Sequence, residues 1–228
     1  MSQPALEYDG VTVRYEHHGP PTVDNVSLSV GAGERVALVG LNGSGKTTLL
    51  TAAVGLVEHA GAIRVCGQAV SPRTIQAVRG SVGFLFNVPE DQLLFPKVVD
   101  DAAFALVRKG MKPKEAGAKA REVLEQLGVG AVADSPLHHL SHGQKQRVAL
   151  AGALVTSPPL LLLDEPSAAL DPPGKRNLAR LLASQEAAMV IATHDLEFAK
   201  ALGTRYVLLE GGRIAYDGAD GAEVAQRL

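Results

Sequence analysis

Three features of the 228-residue chain predict an α/β fold built on a mostly parallel central sheet. Continuous apolar runs, "LLLLD" at 160–164, "MVIAT" at 189–193 and "YVLLE" at 206–210, alternate with helical stretches, as a parallel sheet covered on both faces requires. The amino-terminal part reads as short strands and turns, "ALEY", "VTVRY" and "VDNVSLSV", an antiparallel apron beside that sheet. Between the two lies a helical insert. From about 98 to 128, "VVDDAAFALVRKG" and, after Pro113, "KEAGAKAREVLEQLG" carry helical periodicity and close on Gly128.

The length suits one sizeable domain, 1–228, with a helical subdomain at about 88–157 inside it. Pro158, Pro159, Pro172 and Pro173 read as punctuation between elements. A formal charge of −2 argues against a chain built to coat nucleic acid. The single cysteine, Cys66, excludes an intrachain disulfide framework, and no basic-apolar leader precedes the first strands, so a reducing cytosol is the expected home. Apolar runs such as "LLLL" at 160–163 fall far short of the roughly 20 residues a membrane helix needs, so any membrane involved is spanned by another chain.

The strand "RVALV" runs into "GLNGSGKTT", residues 40–48, which fits G-x-x-x-x-G-K-[ST] between a strand and a helical run. Gly43 and Gly45 let the backbone wrap an anion with its N–H groups turned inward. Lys46 is placed to reach the β and γ phosphates, and the Thr47 hydroxyl to ligate Mg²⁺. The pattern predicts a P-loop NTPase, with Asn42, Gly43, Ser44, Gly45, Lys46, Thr47 and Thr48 around the nucleotide. Ligands of such sheets gather at the carboxyl ends of the strands, where "LLLLDEP" delivers Asp164 and Glu165. Asp164 suits metal holding through water, and Glu165 suits polarising the water that attacks the γ phosphorus. His194, just after "MVIAT", is placed to donate to the γ phosphate. "LSHGQKQRVAL" at 140–150 leaves two readings open. Ser141 either caps a helix whose apolar face is Val148, Ala151, Leu154 and Val155, or forms with Gly143 an anion-binding helix start.

Taken in order, residues 40–48, "LSHGQ", "LLLLDEP", "SAALD" and "THD" resemble the ATP-binding subunit of an ATP-binding cassette (ABC) transporter over nearly the whole chain. The resemblance implies a head-to-tail dimer with a second copy. Each ATP would be enclosed between Lys46 of one chain and the Ser141, Gly143 and Gln144 region of the other. It makes Glu165, His194 and Lys46 the catalytic set, Thr47, Asp164 and Asn87 the Mg²⁺ set, and Tyr15 the aromatic that stacks on adenine. Ser167 and Asp171 of the D-loop would communicate between the two sites.

Two positions depart from the family pattern. Asn87 in "VGFLFNVPEDQLLF" stands where a Gln is expected, one methylene or about 1.5 Å shorter, and is expected to reach Mg²⁺ through water with slower hydrolysis. Gln92 nearby is not promoted in its place. His142 replaces the first Gly of the signature and is expected to face solvent. The pairs His17–His18 and His138–His139 are read as solvated loops rather than metal ligands.

"PEDQLLF", "LSHGQKQRVALAGAL" and "ATHDLEFA" are similar to the energy-coupling-factor ATPases of cobalt and nickel uptake. That similarity implies an integral membrane coupling protein, a substrate-capturing membrane protein, no nucleic acid, and a peripheral location on the cytoplasmic face of the cell membrane. The cleft by the Q-loop and helical insert would receive short coupling helices. Two alternatives carry different signatures. A soluble cassette ATPase acting on nucleic acid or ribosomes usually has a long coiled-coil insertion or two cassettes in tandem. A small-molecule kinase would leave "LSHGQ" without a phosphate. The ATPase of another ABC importer or exporter is the nearest variant of the main reading.

Overall fold

The computed structural model describes residues 3–15 and 19–227. Strands β1 (Leu6–Val13), β2 (Val23–Val30), β4 (Ala60–Val65) and β5 (Gln68–Ala69) form an antiparallel sheet in the order β2-β1-β4-β5. Strands β3 (Arg35–Val39), β6 (Val82–Leu85), β7 (Leu160–Asp164), β8 (Ala188–Thr193), β9 (Arg205–Glu210) and β10 (Arg213–Gly218) form the second sheet, ordered β10-β9-β3-β8-β7-β6. All its pairs are parallel except β9 with β10.

"ALEY" and "VTVRY" are not two strands. They fall largely on the single strand β1, whose register against β2 breaks between Tyr8 and Val11. The bulge absorbs the extra residues, so a turn-like "DG" bends the strand without ending it. The helical stretch at 98–128 resolves into α3 (Val98–Arg108) and α4 (Pro113–Gln126), each with a buried stripe at three- and four-residue spacing. With α5 (His142–Leu154) they form the helical subdomain, packed around Ala102, Leu106, Ala120, Leu124, Val148 and Ala151. The remaining helices are α1 (Lys46–Ala53), α2 (Ile75–Gly80), α6 (Pro172–Ala183), α7 (Leu196–Leu202) and α8 (Gly221–Arg227). Pro172 and Pro173 open α6, where a missing N–H costs nothing.

The Leu run of β7 is buried at every position, as are the residues of β8, so these strands contact covering layers on both faces. Register then decides where the polar residues emerge. Val39, the last residue of β3, lies beside Thr193 of β8, and Asp164 of β7 lies beside Ala192. Leu85 of β6 pairs with Leu163, which brings the segment starting at Phe86 to the same edge. Four strand ends and the start of α1 thus converge at the carboxyl edge of the sheet. Among the described residues, no helix is long and apolar enough to cross a membrane.

Candidate nucleotide site

The loop after β3 ends in α1, whose first residue is Lys46. Gly45 precedes it at φ +102°, and a Cβ there would lie 2.6 Å from the Thr22 carbonyl oxygen, so only glycine fits this turn. The Lys46 side chain is buried, and its Nζ donates to the carbonyls of Gly40 at 2.7 Å and Leu41 at 3.0 Å. Burial pushes its pKa down, while Glu165 and Asp164 pull it back up. A multiply charged anion in the loop would supply the counter-charge that these carbonyls only partly provide. Ser44 Oγ is buried without a hydrogen-bond partner among the described residues, an orphan that a phosphate oxygen would satisfy.

Thr47 Oγ1 donates to Asp164 Oδ2 at 2.6 Å. Burial raises the Asp164 pKa, the Thr47 hydrogen bond lowers it, the neighbouring Glu165 raises it and Lys46 lowers it. Next to Asp164, Glu165 takes φ +50°, uncommon for a side chain of its size, and turns its carboxylate away from Asp164 toward β8. Its Oε2 accepts from Thr193 Oγ1 at 3.0 Å. Its Oε1 lies 2.8 Å from His194 Nδ1 and accepts from the His194 backbone N–H at 3.1 Å. His194 therefore holds the carboxylate with one ring nitrogen and is otherwise largely exposed.

The loop and the two carboxylates border one cleft of about 300 Å³, lined by residues 42–48, Asn87, Asp164, Glu165 and Thr22; His194 reaches it only through its bond to Glu165. Thr22 escaped the sequence reading because no motif marks it; β1–β2 pairing brings it in, its N–H donating to the Val13 carbonyl. Tyr15 stands at the rim, its hydroxyl 3.2 Å from Thr48 Oγ1 and its ring largely exposed, free to carry a flat ligand.

The signature stretch lies apart from this cleft's lining. Ser141 is the N-cap of α5 in a capping box: its Oγ accepts from Gln144 N–H at 3.3 Å, and its own N–H donates to Gln144 Oε1 at 2.9 Å. The cap reading of Ser141 therefore holds within the chain, and Val148, Ala151, Leu154 and Val155 are buried as expected. The cap leaves room for an anion at the same place, because the box consumes only part of the unpaired N–H set at the helix start. Gly143 is needed for close approach: a Cβ there would come 2.9 Å from the Ala169 carbonyl of the loop after β7. Ser167 in that loop is fully buried, its Oγ without a partner among the described residues, and Asp171 caps α6 by accepting from Gly174 N–H at 3.0 Å.

Gln92, left out of the metal set, has another task. Its Oε1 accepts from Phe86 N–H at 3.1 Å and its Nε2 donates to the Ala149 carbonyl at 3.0 Å, stitching the segment before Asn87 to α5. Lys145 Nζ bonds Glu90 at 2.9 Å on the same seam, with the exposed His142 ring 3.7 Å from the other Glu90 oxygen. His138 and His139 stack edge to face in a short 3-10 turn, and no cluster of three or more metal-ligating side chains occurs among the described residues. His17 and His18 lie outside the described residues.

A family model described as "ABC transporter" matches residues 23–168, well over half of the chain. The chain belongs to the ABC transporter ATPase family. The ABC chain is 40% identical over 226 residues to a protein of Streptomyces avermitilis provisionally named an ABC transporter ATP-binding protein, covering 99% of this chain and 86% of that one. It superposes on cbiO1 of Clostridium perfringens, part of the ABC transporter complex cbiONQ, with TM-score 0.83 and 30% identity over 99% of this chain and 92% of that one. It also superposes on the ATP-binding cassette MJ0796, solved as a dimer in a post-hydrolysis state with ADP and Pi, with TM-score 0.86 and 27% identity over 94% and 98% of the two chains. As an ABC ATPase, the chain binds ATP and hydrolyses it to ADP and phosphate. The cleft between the P-loop and the β7 carboxylates has the groups for that chemistry.

Proposed function

We propose that the chain is the ATP-hydrolysing subunit of an energy-coupling-factor importer of a transition-metal ion, cobalt or nickel, and that it works as a head-to-tail dimer on the cytoplasmic face of the membrane. The observation that carries the dimer is the separation of Ser141 from the chain's own nucleotide cleft, which leaves the start of α5 available to a second copy's ATP. The metal-uptake reading draws support from the likeness to cbiO1 and from the "PEDQLLF" segment beside the Q-loop position.

In this reading the loop N–H groups and Lys46 cradle the β and γ phosphates, with Tyr15 under the adenine. Thr47, Asp164 and Asn87 would hold Mg²⁺; their oxygen donors suit a hard dication, and its charge would offset the burial that disfavours the ionised Asp164 carboxylate. When bound, the ion supplies charge neutralisation at the phosphates. Glu165 takes a proton from the attacking water as the water oxygen bonds to the γ phosphorus and the bond to the β-bridging oxygen breaks. His194 orients that carboxylate and donates to the γ phosphate. Loss of the γ phosphate removes the link between the two chains and favours opening, which turns hydrolysis into motion.

The membrane partners would be a coupling protein and a substrate-capturing protein. A cleft of about 410 Å³ between β6, Gln92 and the C-terminal end of α5 suits a short coupling helix from the former. Co-purification with two integral membrane proteins, and loss of cobalt or nickel uptake in cells carrying Glu165→Gln, test the assignment. Co-purification with ribosomes or nucleic acid, or uptake unaffected by that substitution, would overturn it.

A further inference from the structure

The side chain that ties α5 to the hydrolytic carboxylate is Gln146. It lies on the second turn of the helix that Ser141 caps, and it is 2% exposed. Its Nε2 donates to the backbone carbonyl of Glu165 at 2.8 Å, while its Oε1 has no partner among the described residues. A buried amide with one arm unmet is costly, about 1–3 kcal/mol, so packing alone would favour an apolar side chain of the same shape.

The backbone that Gln146 grips is disfavoured twice over. Glu165 has φ +50°, and it precedes Pro166, which drives its predecessor toward extended conformations. Such a geometry persists only where the surroundings hold it. The Glu165 N–H donates to the Ala192 carbonyl at 2.8 Å, and its carbonyl accepts from Gln146 and, at 3.2 Å, from Ala168 N–H. Of these holds, only Gln146 reaches in from the signature helix.

We propose that Gln146 is a positioning residue for hydrolysis: its hydrogen bond fixes the backbone of Glu165 from the signature helix, so the helix that meets the partner's ATP also sets the base of its own site. The inference rests on the dimer reading for its second clause and on this chain alone for its first.

The test replaces Gln146 with Met, which matches its length, removes the unmet polar arm and cannot donate. Folding stability is expected to be unchanged or higher, and KM for ATP unchanged. The kcat of the full chain is expected to fall about tenfold to a hundredfold, the scale on which small misplacements of a reacting group act. In the Glu165→Gln background, Gln146→Met is expected to leave ATP-driven dimerisation at the level of Glu165→Gln alone. A wild-type kcat in Gln146→Met would overturn the proposal. So would a parallel loss of melting temperature and dimerisation, which marks a merely structural role. Failure of Glu165→Gln itself to dimerise would sink the dimer reading and with it the second clause, while the split between kcat and KM would still decide the first.

Discussion

Ser141 offers a way to separate helix capping from nucleotide binding with two substitutions. Ser141→Ala removes the hydroxyl that accepts from Gln144 N–H and is expected to cost about 1 kcal/mol of stability, or some 2–4 °C of melting temperature in a chain of this size. Ser141→Asp keeps a good cap, and its charge suits the helix N-terminus, so the nucleotide-free chain should melt within about 1 °C of wild type. Facing the γ phosphate of a partner's ATP, however, the same carboxylate is a like charge. At about 4 Å and an effective dielectric constant near 20 the repulsion is about 4 kcal/mol, roughly a thousandfold in dimer affinity for each of the two shared sites. The assay pairs melting curves without nucleotide with ATP-dependent dimerisation in the Glu165→Gln background, followed by light scattering. Ser141→Asp that melts normally and still dimerises at the parental ATP and chain concentrations would refute the assignment of this helix start to a second copy's nucleotide.

Three further outcomes are expected. Asn87→Gln should raise phosphate release by the assembled complex about fivefold, the worth of one hydrogen bond of roughly 1 kcal/mol, and an unchanged rate contradicts the expected role of the shorter side chain. Tyr15→Leu should raise KM for ATP and GTP alike with little change in kcat, since stacking is tolerant of base identity; equal KM values in variant and wild type would remove Tyr15 from the site. Tyr8 is buried with its hydroxyl donating to the Leu49 carbonyl at 2.9 Å, and burial raises its pKa well above the ordinary 10. The folded chain then keeps a proton that the unfolded chain releases, so this group adds no pH dependence to stability below pH 10, and above it stability falls by up to about 1.4 kcal/mol per pH unit. Tyr8→Phe should lose about 1 kcal/mol at neutral pH and show a weaker decline above pH 10 than wild type in urea titrations, and parallel declines would contradict this.

The clustering of the candidate site residues is more legible in the sequence than the fold around them. Lys46, Asp164 and Glu165 follow apolar strands in patterns whose chemistry forces their placement, and the parallel register of β3, β8 and β7 brings them together as the runs implied. The β4–β5 hairpin went unread because its two-residue turn is Cys66–Gly67, with Cys66 at φ +46° in place of the usual Asn or Asp. The β9–β10 hairpin turns on Gly211–Gly212, both at positive φ. In β1 the "DG" pair looked like a turn because local sequence cannot distinguish a bulge from a chain reversal; pairing on both edges, with β2 and β4, decides it. Thr22, Gln92 and Gln146 were illegible as contributors for a common reason. Each acts through a contact between residues brought together by the fold, in the cleft wall, at the Ala149 carbonyl and at the Glu165 carbonyl.

The shared-nucleotide dimer is tested most directly by ATPase activity per chain across a dilution series, with molecular mass determined in the same samples. Activity should track the dimer fraction and vanish as the chain becomes monomeric. Monomers that turn over ATP at the undiluted rate would contradict it.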